Sequence, residues 1–412
     1  MASVIAAISA LGCLEPASSA QPVLTVELGA VEYRIDSSAD DAVRFLREFL
    51  PECGSPLTGC RSFTIVCRYD DELFLQLTRL LESAAVVRRS LHTFNSVPTI
   101  EWTLGSLCVY QQLVGESHFV IDAGPAKIAV APRDCTSHWH AMRIIREIYL
   151  REMLLDDHTM LHGAAVEFAG RGLIIVGGKG EGKTTVSSRL MSDGWSFVTN
   201  DRVLVGRSQG IFTAYPYPLD VRAHLTSVNP RVADRLAALN SSHVQREHDV
   251  SKAAKTAETS VFPSKHRFSV REWVEAHDAK SRAWAHLSAV LLLRWVNTPE
   301  TLDLRRLAPV EAFRGLRSHA FLGTGNVFSD DAFGSRLPLR ADMTGPAVSG
   351  AWLHKPGPSS LQVLRGAIRM CRRLAADLPV YELSIGPRTL TDERDALPAR
   401  LADLVHTNTV SV

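Results

Sequence analysis

The segment that most constrains this chain is Gly177-Gly178-Lys179-Gly180-Glu181-Gly182-Lys183-Thr184, which follows the apolar run Leu173-Ile174-Ile175-Val176 and precedes a helical-looking segment from Val186 to Met191. Strand, glycine-rich loop and helix in that order require an α/β arrangement in which the helix returns over the sheet. The pattern is that of a phosphate-binding P-loop (Walker A). Its glycines let successive backbone N–H groups converge on an anion without Cβ clashes, and the positive end of the following helix points at the same place. Gly177, Gly178, Lys179, Gly180, Glu181, Gly182, Lys183, Thr184 and Thr185 are therefore the expected nucleotide-binding residues. Lys183 is expected on the β- and γ-phosphates and the Thr184 hydroxyl on Mg²⁺. ATP and Mg²⁺ are the cofactors this implies, although nothing in the loop separates ATP from GTP.

A chain of 412 residues is long for one core, so two domains are expected, 1–137 and 138–412. Its 46% hydrophobic and 22% charged residues place it among ordinary globular proteins. A formal net charge of +1, with no long Lys/Arg run, argues against a nucleic-acid partner. The seven cysteines (Cys13, Cys53, Cys60, Cys67, Cys108, Cys135 and Cys371) are odd in number and contain no Cys-x-x-Cys pair, the pattern of reduced cytoplasmic thiols. The pairs His138/His140 and His158/His162 each lack a third metal ligand. Val4 to Leu14 is apolar, but the first basic residue is Arg34, so a secretory signal is not expected. No apolar run is long enough for a membrane span.

Residues 23–35 alternate and read as a hairpin, Ala39 to Leu50 as a helix ending at Pro51, and Arg61 to Arg68 as a strand. Short strands follow within Pro98–Gln112 and His118–Pro132. The first third is thus expected to be a β-rich α+β domain, and homo-oligomerisation or substrate docking is open to it. Residues 138–156 read as a helix with Met142, Ile145, Tyr149 and Met153 on one face. A strand at Leu161–Phe168, the loop strand, the loop helix, and strands at Ser196–Thr199 and Arg202–Val205 come next. Residues 239–258 read as an insertion and 323–358 as a long loop. Ala289–Trp295 reads as a buried strand, Leu361–Leu374 as a basic amphipathic helix and Val380–Ile385 as a last strand.

The neighbours of the glycine loop narrow its use. Upstream is Leu161-His162-Gly163-Ala164-Ala165-Val166; downstream is Phe197-Val198-Thr199-Asn200-Asp201-Arg202-Val203, with Asp201 eighteen residues beyond Lys183. Leu219-Asp220-Val221-Arg222-Ala223 adds a short acid-x-Arg element. These pieces, spanning roughly residues 155–225, resemble the HPr kinase/phosphorylase family and its relatives described as HPr-kinase-like serine kinases. The resemblance implies a P-loop core with a mixed sheet, of the HPr kinase and phosphoenolpyruvate carboxykinase type. It further implies an ATP-dependent kinase acting on a hydroxyl, a serine of a peptide or protein or a small metabolite.

Carried over residue by residue, Asp201 is the candidate base on the acceptor hydroxyl. His162 would orient an acid or shuttle a proton, and Lys183 and Arg222 would neutralise phosphate charge. Thr184, Asp201 and Asp220 are the candidate oxygen ligands or their supports for Mg²⁺. Each has a structural reading beside the chemical one. Asp201 can cap a turn, Asp220 and Arg222 can pair with each other, and His162 can be a satisfied core histidine; Lys265 and Arg267 read as a solvated basic turn. The chain departs from the family in carrying Asn200 where two adjacent aspartates are usual, and Asp220 where a Glu is usual. Neither a phosphorylase stretch nor a docking element for the sugar-transport carrier protein is recognisable. A nucleotide-binding regulatory or assembly ATPase without an outside acceptor is the alternative reading, and carboxykinase chemistry ranks third.

Overall fold

The computed structural model describes residues 23–29, 31–37, 40–50, 61–83, 87–93, 97–104, 107–112, 118–123, 126–135, 138–239, 265–298, 302–320, 360–386 and 397–407. The apolar leader at 4–14, the insertion beyond residue 239 and the loop at 323–358 lie outside these residues. The chain is a mixed α/β protein built on two mixed sheets. Among the described residues no helix is long and apolar enough to cross a membrane.

The first sheet holds β1 (Val23–Leu28), β2 (Val31–Ser37), β3 (Arg61–Tyr69), β4 (Val87–Thr93), β5 (Val97–Leu104), β6 (Leu107–Gln112), β7 (His118–Ala123) and β8 (Ala126–Ala131). Their spatial order is β1-β2-β3-β8-β7-β6-β5-β4. The β2–β3 and β3–β8 pairs are parallel and so need crossovers. Helix α1 (Asp40–Phe49) lies in the first crossover and α2 (Asp71–Ser83) opens the second. The sequence reading passed over α2 and β4. A start signal for α2 exists nonetheless, since the Asp70 carboxylate accepts the N–H groups of Glu72 at 3.0 Å and Leu73 at 3.1 Å.

Helix α3 (Trp139–Leu155) buries the expected face of Met142, Ile145, Tyr149 and Met153. It also buries Ala141, Ile144, Ile148 and Leu150, because it is covered on more than one side. Its core includes Tyr33, Ile35, Leu46, Phe49 and Ile65 from the first unit and Met160, Leu204, Tyr215 and Tyr217 from the second. The Tyr33 hydroxyl donates to the Ile145 carbonyl at 3.0 Å, fixing the helix to β2.

The second sheet contains β9 (Thr159–Leu161), β10 (Gly163–Phe168), β11 (Arg171–Val176), β12 (Ser196–Thr199), β13 (Val203–Ser208) and β14 (Ile211–Pro216). After a separate pair, β15 (Val221–Ala223) and β16 (His266–Phe268), come β17 (Ala285–Trp295), β18 (Leu302–Arg306) and β19 (Val380–Ile385). Strand β17 is the hub. It runs parallel to β11 and to β19 and pairs antiparallel with β14 through its first two residues. Its run from Leu287 to Leu293 is buried throughout, as a strand covered on both faces requires.

On one face, Leu291 and Leu293 pack with Val186 and Leu190 of α4 (Lys183–Ser192), Trp273 of α6 (Val270–Ala276) and Leu401 of α9 (Leu397–Thr407). Before α6 lies α5 (Pro230–Leu239). On the other face, Val290 and Leu292 meet Leu316 of α7 (Pro309–His319) and Leu374 of α8 (Ser360–Asp377). The segment 161–168, expected as one strand, is two: β9 pairs with β13 whereas β10 pairs with β11 and β12, and the chain changes partners at His162. Among the described residues, Cys67, Cys135 and Cys371 are buried free thiols.

Helix α6 starts with a capping box between Ser269 and Glu272 and ends at His277. The His277 ring bonds the Trp273 carbonyl at 2.7 Å through Nδ1 and the Ser188 hydroxyl of α4 at 2.7 Å through Nε2. Burial pulls its pKa down to about 4; the Trp273 carbonyl opposes this and Arg235 adds to it. Unfolded, this ring takes up a proton below a pH of about 6.5; folded, it resists until about 4. Stability is therefore fully present above the unfolded pKa and falls as pH drops between the two values. Thermal melts from pH 7.5 to 5 should show a decline that is shallower in His277→Gln than in the parent protein. Equal slopes would remove His277 from the account.

Candidate functional site

The glycine loop leaves β11 at Val176 and enters α4 at Lys183. Gly180 and Gly182 hold φ of 86° and 90°, where a side chain is strained. A Cβ on Gly177 would lie 3.1 Å from that of Leu293 on β17, so the loop is pressed against the neighbouring strand. The first helical bond runs from Val186 N–H to Gly182 O at 2.8 Å.

Lys183 is only 8% exposed. Its Nζ donates to the carbonyls of Gly177 at 2.9 Å and Gly178 at 2.8 Å, arching over the loop. Burial lowers its pKa to about 8; the Asp201 and Glu181 carboxylates resist the shift and Lys265 adds to it. The Glu181 carboxylate accepts the Gly178 N–H, so an anionic group already rests on the loop backbone.

Two crossings between branches of the second sheet build the other wall. The first is His162, between β9 and β10, whose N–H donates to His319 O at 2.9 Å. The second is the link from β12 to β13. There Arg202 N–H bonds Asn200 O at 2.8 Å across Asp201, which has φ 67°. A two-residue hydrogen bond over a residue of positive φ marks the strained form of γ-turn, tolerated best by Asp, Asn or Gly. Gly163 N–H bonds Asp201 O at 3.2 Å, tying the two crossings together. Their side chains meet as well, with His162 Nε2 at 3.4 Å from Asp201 Oδ1. Burial pushes the Asp201 carboxyl up. The His162 hydrogen bond and the charges of Arg202, His162 and Arg222 outweigh it, leaving the group below its ordinary value and ionised at neutral pH.

Asn200 places its Oδ1 at 3.3 Å from the Thr184 hydroxyl. Asp220, expected as an oxygen ligand, is instead clamped: Arg222 Nε at 2.9 Å and Arg267 Nε at 2.6 Å both donate to its Oδ2. Burial raises the Asp220 pKa, but the two guanidiniums hold the carboxyl far below the usual carboxylate range. The arginines face each other across the β15–β16 pair. Arg267 is thus a strand residue with an ionic role, not a solvated turn.

The structure accordingly gathers Lys183, Thr184, Asp201 and His162 around one loop. Arg222 is near enough to act on Asp201, while Asp220 is engaged with its arginines. His319, at the end of α7, was missed; its ring feels the charges of His162 and Lys183, and burial chiefly lowers its pKa to about 4. No sequence signal marks it, because nothing near His319 resembles a motif. The His158 ring packs where a Cβ on Gly206 would clash, and its Nδ1 lies 3.0 Å from Asp156 O. His138 bonds the Tyr69 hydroxyl at 2.7 Å.

Among the described residues, no group of three or more His, Cys, Asp or Glu side chains could hold a metal. Thr184, Asn200 and Asp201 are hard oxygen donors suited to Mg²⁺, an ion that needs few protein ligands beside phosphate oxygens. A cleft of about 290 Å³ lies apart from the loop, between Glu167, Gly170, Gly194 and Arg282. No family model matches the chain, and no curated protein matches it.

The Asp220 clamp is testable without any ligand. Asp220 is 4% exposed, and the side chains of Arg267 and Arg222 are 18% and 55% exposed. Breaking a buried ion pair costs about 3 kcal/mol, and exposed arms contribute less. Denaturant unfolding should show Arg267→Ala losing more stability than Arg222→Ala; the reverse order would contradict the clamp as described.

Proposed function

We propose that the protein is an ATP-dependent phosphotransferase with a P-loop core of the HPr kinase and phosphoenolpyruvate carboxykinase type. It moves the γ-phosphate to a hydroxyl of a peptide or protein serine or of a small metabolite. The observation that carries this reading is the convergence, on the Lys183 loop, of an ionised aspartate held by a histidine at two adjoining strand crossings. A loop alone supports binding; an aspartate beside it supports transfer.

In the proposed step, the acceptor oxygen bonds to the γ-phosphorus, the bond to the β,γ-bridging oxygen breaks, and ADP leaves. The acceptor proton passes to the Asp201 carboxylate. His162 holds that carboxylate in place through its 3.4 Å contact. Lys183 and Arg222 offset charge on the phosphoryl oxygens, the main work of such sites. Thr184, Asn200 and Asp201 would hold Mg²⁺, which supplies further charge neutralisation on the phosphates.

The Asn200–Thr184 bond favours a second reading, a nucleotide-binding regulator without an outside acceptor, since the family's extra carboxylate is replaced here by an amide.

The deciding measurement is transfer of label from γ-labelled ATP to a panel of peptides, proteins and hydroxyl metabolites. Asp201→Asn should lower turnover by about 10²–10⁴-fold while retaining nucleotide binding. Lys183→Met should lose both. Transfer that survives in Asp201→Asn sinks the assigned base, and binding without transfer across the panel selects the regulator. Nucleotide binding should also take up a proton. Lys183 titrates near 8 when free, and a polyphosphate draws it back to the charged form. Calorimetry at pH 8.5 in buffers of different ionisation enthalpy should show uptake that is absent at pH 6.5; equal uptake at the two pH values would remove Lys183 from the account.

A further inference from the structure

The Asp201, His162 and Asn200 wall occupies one side of the loop strand. His162 adjoins β10 and Asn200–Asp201 follow β12, strands that lie on one side of β11, and β17 and β19 lie on the other, with β14, β13 and β9 branching from β17. A nucleotide whose terminal phosphate faces Asp201 must run its ribose and base the opposite way, over the C-terminal ends of β17 and β19. Open α/β sheets bind their ligands off those ends.

Strand β17 keeps register with the loop strand, Val176 lying opposite Leu292, and Leu293 abuts Gly177. Two residues beyond Leu293 is Trp295, on the same face by the two-residue strand period. Its register partner on β19, Ile385, belongs with Leu291, Leu293 and Val186 to the cluster under α4. Trp295 therefore lies on the face from which the loop enters its helix. Leu293 is 4% exposed there, but Trp295 is 41% exposed, the one aromatic among the large apolar side chains exposed in the described residues. Arg294 alternates to the opposite face, where its guanidinium lies 3.9 Å from Glu382.

We infer that Trp295 is the base platform of the site, its indole stacking on the purine of the nucleotide held by the loop. The inference rests on the nucleotide-binding reading above and adds the residue that grips the base. An aromatic face accepts any purine, so the platform provides affinity for a nucleoside over bare phosphate and does not choose between adenine and guanine.

The test is calorimetric titration of the full chain and its Trp295→Ala and Trp295→Phe variants with ATP and with inorganic tripolyphosphate. Trp295→Ala should weaken ATP binding about tenfold, a modest stacking contribution, and leave tripolyphosphate binding unchanged. Trp295→Phe should keep most of the ATP affinity. ATP, but not tripolyphosphate, should quench intrinsic tryptophan fluorescence, and Trp295→Phe should lose that quench. Unchanged ATP affinity in Trp295→Ala, or equal weakening toward both ligands, overturns the platform while leaving the loop assignment intact. Failure of the parent protein to bind either ligand overturns the nucleotide reading and the platform with it.

Discussion

The hydrogen bonds of β17 are shared among three strands, its first residues going to β14 and the rest to β11 and β19. A strand serving several partners makes the sheet branch, and a branched sheet obliges the chain to pass between branches. It does so at His162 and at Asp201, and Gly163 N–H to Asp201 O binds the two passages together. Residues at such passages are released from ladder pairing, so their side chains can face a cleft. The position of the acid beside the glycine loop is thus a by-product of strand pairing. The left-handed φ at Asp201 is the local cost, and clustering of such strain at functional sites is common.

The charge arrangement follows the same frame. Lys183 is drawn into the loop by two carbonyls and loses proton affinity to burial, while Asp201 keeps its charge because cations surround it. Asp220 lies one step outward, just before a short strand pair, and its single carboxylate offsets part of the charge of Arg222 and Arg267 and holds them side by side.

What the sequence made legible was local. The loop, its flanking strand and helix, β19, and most of β17 and α3 could be read because glycines, apolar runs and helical spacing act over a few residues. Lys183, Thr184, Asp201 and His162 could be named because they stand near that loop in the chain. What was illegible depended on distant pairing. Nothing around 161–168 announces that two strands with different partners meet at His162. Arg267 reads as a solvated basic residue until β16 is laid against β15. His319 reaches the site only because Ala320 bridges Leu161 and its own carbonyl takes the His162 N–H. Helix α3 was assigned one apolar face, whereas the fold covers it more widely.

A cut after residue 137 falls between a run of strands and the helix Trp139–Leu155. Energetically it would strip Tyr33, Ile35, Leu46, Phe49 and Ile65 from the cluster that buries α3, and uncover Met153, which packs at Gly29, on that side. Burial of each such side chain is worth about 1.5–3 kcal/mol, and a domain's whole margin is about 5–15 kcal/mol. Helix α3 is in this sense a keel laid down for two hulls. The first sheet shares that cluster with the glycine-loop half through α3.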